Sequence, residues 1–326
     1  MQDTVVITGK TRRGTAGWGI GARRVDLRVL LAFGAIYFLW GGTFLAIRIA
    51  VLQVPPFLTA GMRFFTAGIL LHGVMRARGE PRLSWLEWRN TAIIGLCMFV
   101  LTYGPLFWAE QFVSSSITSV IEASLPITTI TLEVCVFRTQ RLQWRAMAGV
   151  LLGFFGIVLL LVNNRDQQLA VIPCLVILAA GVAWSFGAVL SGRLRLPRSR
   201  PLTAGTEMML GGAVLLALSA STGELHSPPR MTLSAGVAIL YLIVCGSLIA
   251  YTAYVWLLGR MSVTRVASHA YINPLVAVGL GYFLAGEVIT ARTVVAAALV
   301  VGSVFLILSR GPPVCDARGP EARTDQ

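Results

Sequence analysis

The sequence predicts an all-α polytopic membrane protein with ten transmembrane helices arranged as two inverted five-helix repeats. Three observations predict it. The chain is apolar and sparsely charged, its arginines fall in alternate gaps between bilayer-length apolar segments, and an internal repeat relates two odd-numbered sets of spans.

The 326 residues are 56% hydrophobic and 13% charged, with a mean hydropathy of +0.76. A soluble domain carries about 25% charged residues. The apolar segments leave no room for a separate catalytic or cofactor-binding domain. The net charge of +13 invites a nucleic-acid partner, but its distribution argues against one. Only Lys10 of the 27 basic residues is lysine, and most arginines sit in short polar gaps rather than on one groove-forming surface. Cys97, Cys135, Cys174 and Cys245 lie in apolar segments and Cys315 in the polar tail, with no metal or redox spacing. No cofactor is implied, and the cysteines read as small packing residues.

Taking about 20 residues per span, helices fall near 29–50, 57–75, 91–110, 115–137, 146–162, 169–190, 202–221, 234–257, 267–286 and 293–310. Residues 1–28 are polar and basic and lack the apolar core and cleavage site of a removable signal peptide, so the first helix is expected to act as the targeting signal. Arginines crowd the second-to-third gap (Arg76, Arg78, Arg82, Arg89), the fourth-to-fifth (Arg138, Arg141, Arg145), the sixth-to-seventh (Arg193, Arg195, Arg198, Arg200) and the eighth-to-ninth (Arg260, Arg265). The alternate gaps offer Arg165, Arg230 and Arg292. Cytoplasmic loops keep their cations, so both termini are expected in the cytoplasm, as an even number of spans requires.

Within the fourth segment, Ser115, Ser119, Glu122, Pro126, Thr129 and Glu133 recur at steps of four and three, which puts them on one helical face. Carboxylates are costly in hydrocarbon, so that face should look at a bundle interior or a watery pathway. The alternative is a buried packing face, with Glu133 snorkelling to a headgroup.

Leu58-Thr59-Ala60-Gly61 recurs 144 residues later as Leu202-Thr203-Ala204-Gly205, and the same offset carries Trp40 onto Trp184 and Gly68 onto Gly212. Further on the offset is 148, carrying Tyr103 onto Tyr251, Trp108 onto Trp256 and Pro126 onto Pro274. Residues 29–162 and 163–310 are thus expected as repeats, flanked by cytoplasmic tails at 1–28 and 311–326. Five spans per half invert the second half, the architecture of secondary transporters with a midplane site.

These pieces resemble the drug/metabolite transporter superfamily, specifically its EamA-type exporters and their YedA-like branch. The resemblance rests on Trp40-Gly41-Gly42-Thr43-Phe44-Leu45-Ala46-Ile47-Arg48, Pro55-Pro56-Phe57, Ala60-Gly61-Met62-Arg63-Phe64, Trp108-Ala109-Glu110-Gln111, Ala123-Ser124-Leu125-Pro126, Asn273-Pro274-Leu275 and Gly286-Glu287. It spans roughly 30–310 and implies a ten-helix fold, a central cavity, alternating access, and export of amino acids, other metabolites or drugs. One departure is Thr139-Gln140, where the resemblance leads one to expect Gly-Glu.

Arg63 and its counterpart Glu207 read as gates at opposite depths, as counter-charges for a zwitterion, or as members of structural ion pairs, Arg63 with Glu110 or Glu122. Glu110 and Glu122 are the candidates for proton exchange. Arg48 is expected to snorkel outward. His269 and Asn273 lie one turn apart before Pro274, as pathway groups or as a structural hydrogen-bonding pair. Pro126 and Pro274 each remove a helix hydrogen bond and are expected to kink. Trp40, Trp184, Tyr103 and Tyr251 are expected at mid-span, in the core or on a cavity wall, whereas Trp85 and Trp88 read as interface anchors. Gly149 and Gly153 permit close contact, within the bundle or in a homodimer.

The sequence therefore reads as a multi-pass inner-membrane carrier of small amphipathic molecules, monomeric or homodimeric, coupled to protons or uncoupled. It carries no P-loop for ATP. An organic-phosphate or nucleotide-sugar exchanger would need more cavity cations than Arg48 and Arg63. A polytopic enzyme would need an acid–base constellation that His72, His226 and His269 do not form, each lacking a close aspartate.

Overall fold

The computed structural model describes residues 27–138, 144–161, 171–226, 231–267, 269–285 and 290–308. The N-terminal tail through residue 26, Thr139, Gln140, Arg141, Arg165, Arg230, Gly286, Glu287 and the tail from 309, with Cys315, lie outside them.

Among the described residues the long helices are α1 (Leu27–Val51), α2 (Pro56–Ala77), α3 (Trp85–Ala109), α4 (Ser115–Val136), α5 (Trp144–Leu161), α6 (Val171–Ser191), α7 (Arg200–Ser221), α8 (Leu233–Leu258), α9 (His269–Ala285) and α10 (Ala291–Leu308), with short helical turns at Glu224–His226 and Val263–Val266. α1 to α4 and α6 to α8, 7 helices, are long and apolar enough to cross a membrane by length and composition. α5, α9 and α10 coincide with the remaining expected windows. Among the described residues there is no strand.

Helix starts follow local chemistry. Ser84 and Glu87 form a reciprocal capping box, so α3 begins at Trp85, six residues ahead of the hydropathy-based start at 91. Ser114 caps α4 and Thr232 caps α8 through their hydroxyls. Pro56 opens α2, where a missing N–H costs nothing. The Glu224 carboxylate, from the connection after α7, accepts the backbone N–H groups of Phe57 at 3.1 Å and Leu58 at 2.8 Å. It thereby places an anion on the positive end of α2. α2 and α7 are followed by left-handed glycines, Gly79 at φ +85° and Gly223 at φ +79°, and these too are 144 residues apart.

α2 and α7 cross in backbone contact. A Cβ on Gly68 would lie 2.2 Å from the amide nitrogen of Met209, and one on Gly212 would lie 2.3 Å from that of Phe65. Gly61 faces Leu216 and Gly205 faces His72 in the same way. Each contact maps onto the other of its pair through the offset of 144. On the far side of the bundle, Gly153 of α5 sits under Ile127 and Ser303, so its close contact is internal.

Several helices are irregular where they approach the centre. α1 widens into a π-helical turn at Ala35–Leu39, α3 at Leu96–Val100, and α8 over Leu242–Tyr251. Such turns release carbonyls from the regular ladder. Side chains take them up: Asn273, with its amide oriented to donate, reaches the oxygens of Ile36 at 3.1 Å and Tyr37 at 2.9 Å. Tyr241 donates to Leu39 at 2.9 Å, Thr102 to Cys97 at 2.9 Å, and Trp40 Nε1 to Gly246 at 2.9 Å.

The fourth helix corrects two expectations. It is interrupted at 123–124 and restarts at Leu125, so the six-residue face is not continuous, although Ser115, Ser119 and Thr129 are fully or nearly fully buried. Pro126 sits in the first turn of the restarted segment, whereas Pro274 lies inside α9. Only the second is an interior helix proline; the first marks a restart. Glu133 is buried at 8% exposure rather than snorkelling.

Candidate functional site

The irregular turns point a set of side chains at one another. Trp40, the first residue after the π turn of α1, meets Trp184 of α6 edge-on with ring centroids 5.7 Å apart. Tyr254 of α8 lies 5.2 Å from each of them, Tyr103 lies 5.8 Å from Trp184, and His269 lies 5.0 Å from Trp40. Such ring pairs add specific geometry to apolar burial.

Between these rings is a cavity of about 30 Å³, room for about two water molecules. α1 lines it with Trp40, Thr43, Phe44 and Ile47, and α3 with Thr102, Tyr103 and Leu106. α4 supplies Ser119, Glu122, Ala123 and Leu125, α6 supplies Trp184, and α9 supplies His269, Ala270 and Asn273. Glu122 is the last residue before the α4 interruption. Its Oε1 is buried without a hydrogen-bond partner. His269 Nδ1 lies 2.9 Å from the Val266 carbonyl, so that nitrogen carries the ring proton and Nε2 is left as an acceptor.

A second cavity of about 370 Å³ opens at the end of the bundle where the arginine-rich connections lie. Ser191, Arg195 and Arg200 line it, with Gly259, Glu207 and Tyr251. The Tyr251 hydroxyl donates to the Glu207 carboxylate at 2.6 Å, and Tyr251 stands 6.2 Å from Trp184. A wall of rings thus separates the wide vestibule from the small central cavity. The absent Cβ of Gly259 leaves a seat for the Arg200 guanidinium, whose Nε would be 2.6 Å from it.

Toward the opposite end, Arg63 is 1% exposed. Its Nε donates to Ser247 at 3.0 Å, and the guanidinium carbon lies over the rings of Phe64 and Tyr103 at 4.5 and 5.1 Å. Glu110 is within its electrostatic reach. The Arg63 guanidinium fits against Gly246, whose Cβ would lie 2.8 Å from Nη2.

The structure therefore brings seven of the expected site residues to one cavity: Trp40, Tyr103, Ser119, Glu122, Trp184, His269 and Asn273. Glu207 and Tyr251 border the vestibule instead, and Arg63 and Glu110 lie beyond the cavity. Pro126 and Pro274 adjoin lining residues without lining it. Arg48 corrects an expectation: it turns inward to donate to the Glu110 carbonyl at the end of α3, where a cation meets the negative end of a helix. Trp85, at 82% exposed, fits the anchor role.

Thr43, Thr102, Tyr254, Arg195 and Arg200 were not singled out by the sequence. Tyr254 follows Tyr251 by one turn, a usable signal, but its repeat counterpart is Leu106. The two arginines read as topology signals only.

Membrane-length helices around a cavity with polar groups on its wall, and a wider vestibule on one side, are the architecture that a membrane transport protein needs. The chain belongs to the EamA-like transporter family, whose model matches residues 27–162 and 171–309. It is 35% identical over 281 residues to the uncharacterized inner membrane transporter YedA of Escherichia coli (strain K12), covering 85% of this chain and 89% of that one. It is 23% identical over 278 residues to a probable amino-acid metabolite efflux pump of the same organism, covering 82% and 90%. A crystal structure with 22% identity shares the fold at a TM-score of 0.62, covering 87% of this chain and 98% of the other.

Proposed function

We propose that this inner-membrane transporter is a secondary carrier that exports small amphipathic metabolites, amino acids and their derivatives or drug-like compounds, by alternating access. In this reading ten helices form two inverted five-helix repeats, and both termini are cytoplasmic. The reciprocal glycine contacts of α2 and α7 support the repeat. They pair residues offset by 144 with one another across the interface, as a two-fold axis in the membrane plane requires.

One observation carries the mechanism. The central cavity is small, a vestibule of about 370 Å³ lies behind a wall of rings at the arginine-rich end, and Arg63 packs toward the other. This is the arrangement of an inward-facing carrier whose substrate site is still collapsed. Rings at Trp40 and Trp184 suit an apolar or aromatic body. An organic-phosphate exchanger would need cations on the cavity wall, and the lining residues include none.

The test is mass spectrometry of the growth medium from overexpressing cells, with and without a protonophore. An Arg63→Ala/Glu207→Ala variant of equal abundance is the control. Accumulation of particular metabolites with the wild type alone is expected, and its loss with protonophore indicates proton coupling. No difference between wild type and variant counts against metabolite export.

A further inference from the structure

We propose that the central cavity recognises a protonated amine on the cargo, with Glu122 as the group that reads its charge. This rests on the reading of the cavity as the substrate site.

Most hydroxyl and amide donors on the cavity wall are already bound, and the Tyr103 hydroxyl is drawn to Arg63 behind it. Thr43 donates to the Trp40 carbonyl at 2.7 Å, Thr102 to Cys97 at 2.9 Å, and Ser119 to Ser116 at 2.7 Å. The Asn273 amide is committed to the carbonyls of His269, Ile36 and Tyr37. What remains is the Glu122 carboxylate, with Oε1 buried and unpartnered against Gly181, and the acceptor Nε2 of His269. A buried carboxylate without a partner is costly, and a cargo that brings N–H donors and a positive charge removes that cost. The Trp40, Tyr103 and Trp184 rings complete a wall suited to an ammonium, because their π-faces attract cations.

Among the described residues, no arginine or lysine lines the cavity to compete for the carboxylate. The nearby Arg63 is held by Ser247, behind Tyr103. Access from the vestibule passes Arg195 and Arg200, but Glu207 stands on its floor within electrostatic reach of Arg200. An amine thus meets a carboxylate before it reaches Glu122. Among the described residues, a carboxylate cargo meets no cation on the cavity wall itself, with Arg63 set behind Tyr103.

The test uses three probes of one shape: 2-phenylethylamine, 2-phenylethanol and 3-phenylpropionate. Binding of radiolabelled 2-phenylethylamine to the purified full chain in detergent is measured, with the other two as competitors, and counterflow of all three is followed in proteoliposomes. The amine is expected to bind best. Glu122→Gln, which keeps size and shape, should weaken it by about tenfold or more while leaving the alcohol unchanged, and Glu122→Asp should restore part of the loss. Preferential binding of the carboxylate, unchanged amine affinity in Glu122→Gln, or absence of amine binding to the wild type would each overturn the proposal. Amine binding without counterflow would support amine recognition while sinking the carrier reading. Counterflow of 3-phenylpropionate that ignores Glu122 would do the reverse.

Discussion

Replacing Gly68 by alanine adds one methyl group where α2 and α7 touch, and its consequence can be worked from the geometry. The new carbon would stand 2.2 Å from the Met209 nitrogen, 2.5 Å from its Cα and 2.8 Å from the Met208 carbonyl carbon. All three are backbone atoms, so no side chain can rotate away. Carbon contacts settle near 3.5 Å or more, so the helices must part locally by about 1.3 Å. Overpacking of this kind costs about 1–3 kcal/mol, offset by up to about 1 kcal/mol because alanine favours helix over glycine. Gly212→Ala meets the mirror contacts, 2.3 and 2.7 Å from Phe65 and 2.8 Å from Phe64, and should cost the same. The double variant should cost less than the sum, because helices already parted by one methyl accommodate the second. Reversible unfolding in mixed micelles, titrated with sodium dodecyl sulfate and followed by circular dichroism, reads these free energies. Gly73→Ala is the control: it lies in α2 with nothing within 4 Å of its Cβ, and should be neutral or slightly stabilising. If Gly68→Ala proved as stable as Gly73→Ala, or the two interface costs were fully additive, the close-contact argument would fail. Parting the helices also moves Phe64 and Met208, the neighbours of Arg63 and Glu207, so transport should fall with stability.

Three further outcomes are expected. Tyr251→Phe removes the 2.6 Å hydrogen bond to Glu207 and should cost about 1–3 kcal/mol of stability, with reduced transport at equal abundance in vesicles. Glu224→Gln takes the charge from the two backbone N–H groups it caps on α2. It should cost roughly 1 kcal/mol in the detergent titration while leaving transport kinetics unchanged. If Glu122 exchanges protons during the cycle, the pH profile of transport should flatten in Glu122→Gln; a profile identical to the wild type would remove Glu122 as the coupling group.

The helices were legible in the sequence because hydrocarbon demands about 20 apolar residues per span, and that demand leaves a strong trace. The start of α3 was not, because Trp85-Leu86-Glu87-Trp88-Arg89-Asn90 is too polar for a hydropathy window, although the capping box at Ser84 and Glu87 was there to be read. Half of the site was legible for a different reason. Polar residues inside spans are costly, so Glu122, His269 and Asn273 stood out, and the repeat marked Trp40 and Trp184. The π turns left no trace: Ala-Ile-Tyr-Phe-Leu at 35–39 is an ordinary apolar run, and its widening depends on Asn273 and Tyr241 arriving from helices far along the chain. Arg48 was misread because snorkelling and helix capping both suit an arginine near a span end. Only the position of Glu110 decides between them.

Arg63 and Glu207 occupy related positions, yet their surroundings differ in kind. Arg63 is sealed against Ser247, Gly246 and three rings, while Glu207 borders an open vestibule and is held by Tyr251. If the two halves were merely similar folds, this difference would be a matter of local sequence. If they are inverted repeats that exchange conformations, it is the signature of one state. The opposite state would then expose Arg63 to an outer vestibule and seal Glu207 near Met98, the residue that the offset of 148 relates to Gly246. Gly246 has no side chain and so admits a guanidinium. Met98 is flexible and already lies 3.7 Å from the Tyr251 hydroxyl through its sulfur. The two seals therefore cannot be chemically equal. The Arg63 seal is a rigid fit into a glycine notch, and the Glu207 seal must close on a deformable thioether. If the halves do exchange conformations, that inequality would favour the state with Arg63 sealed, the one in this structure, and the cycle would rest waiting for cargo from the arginine-rich side.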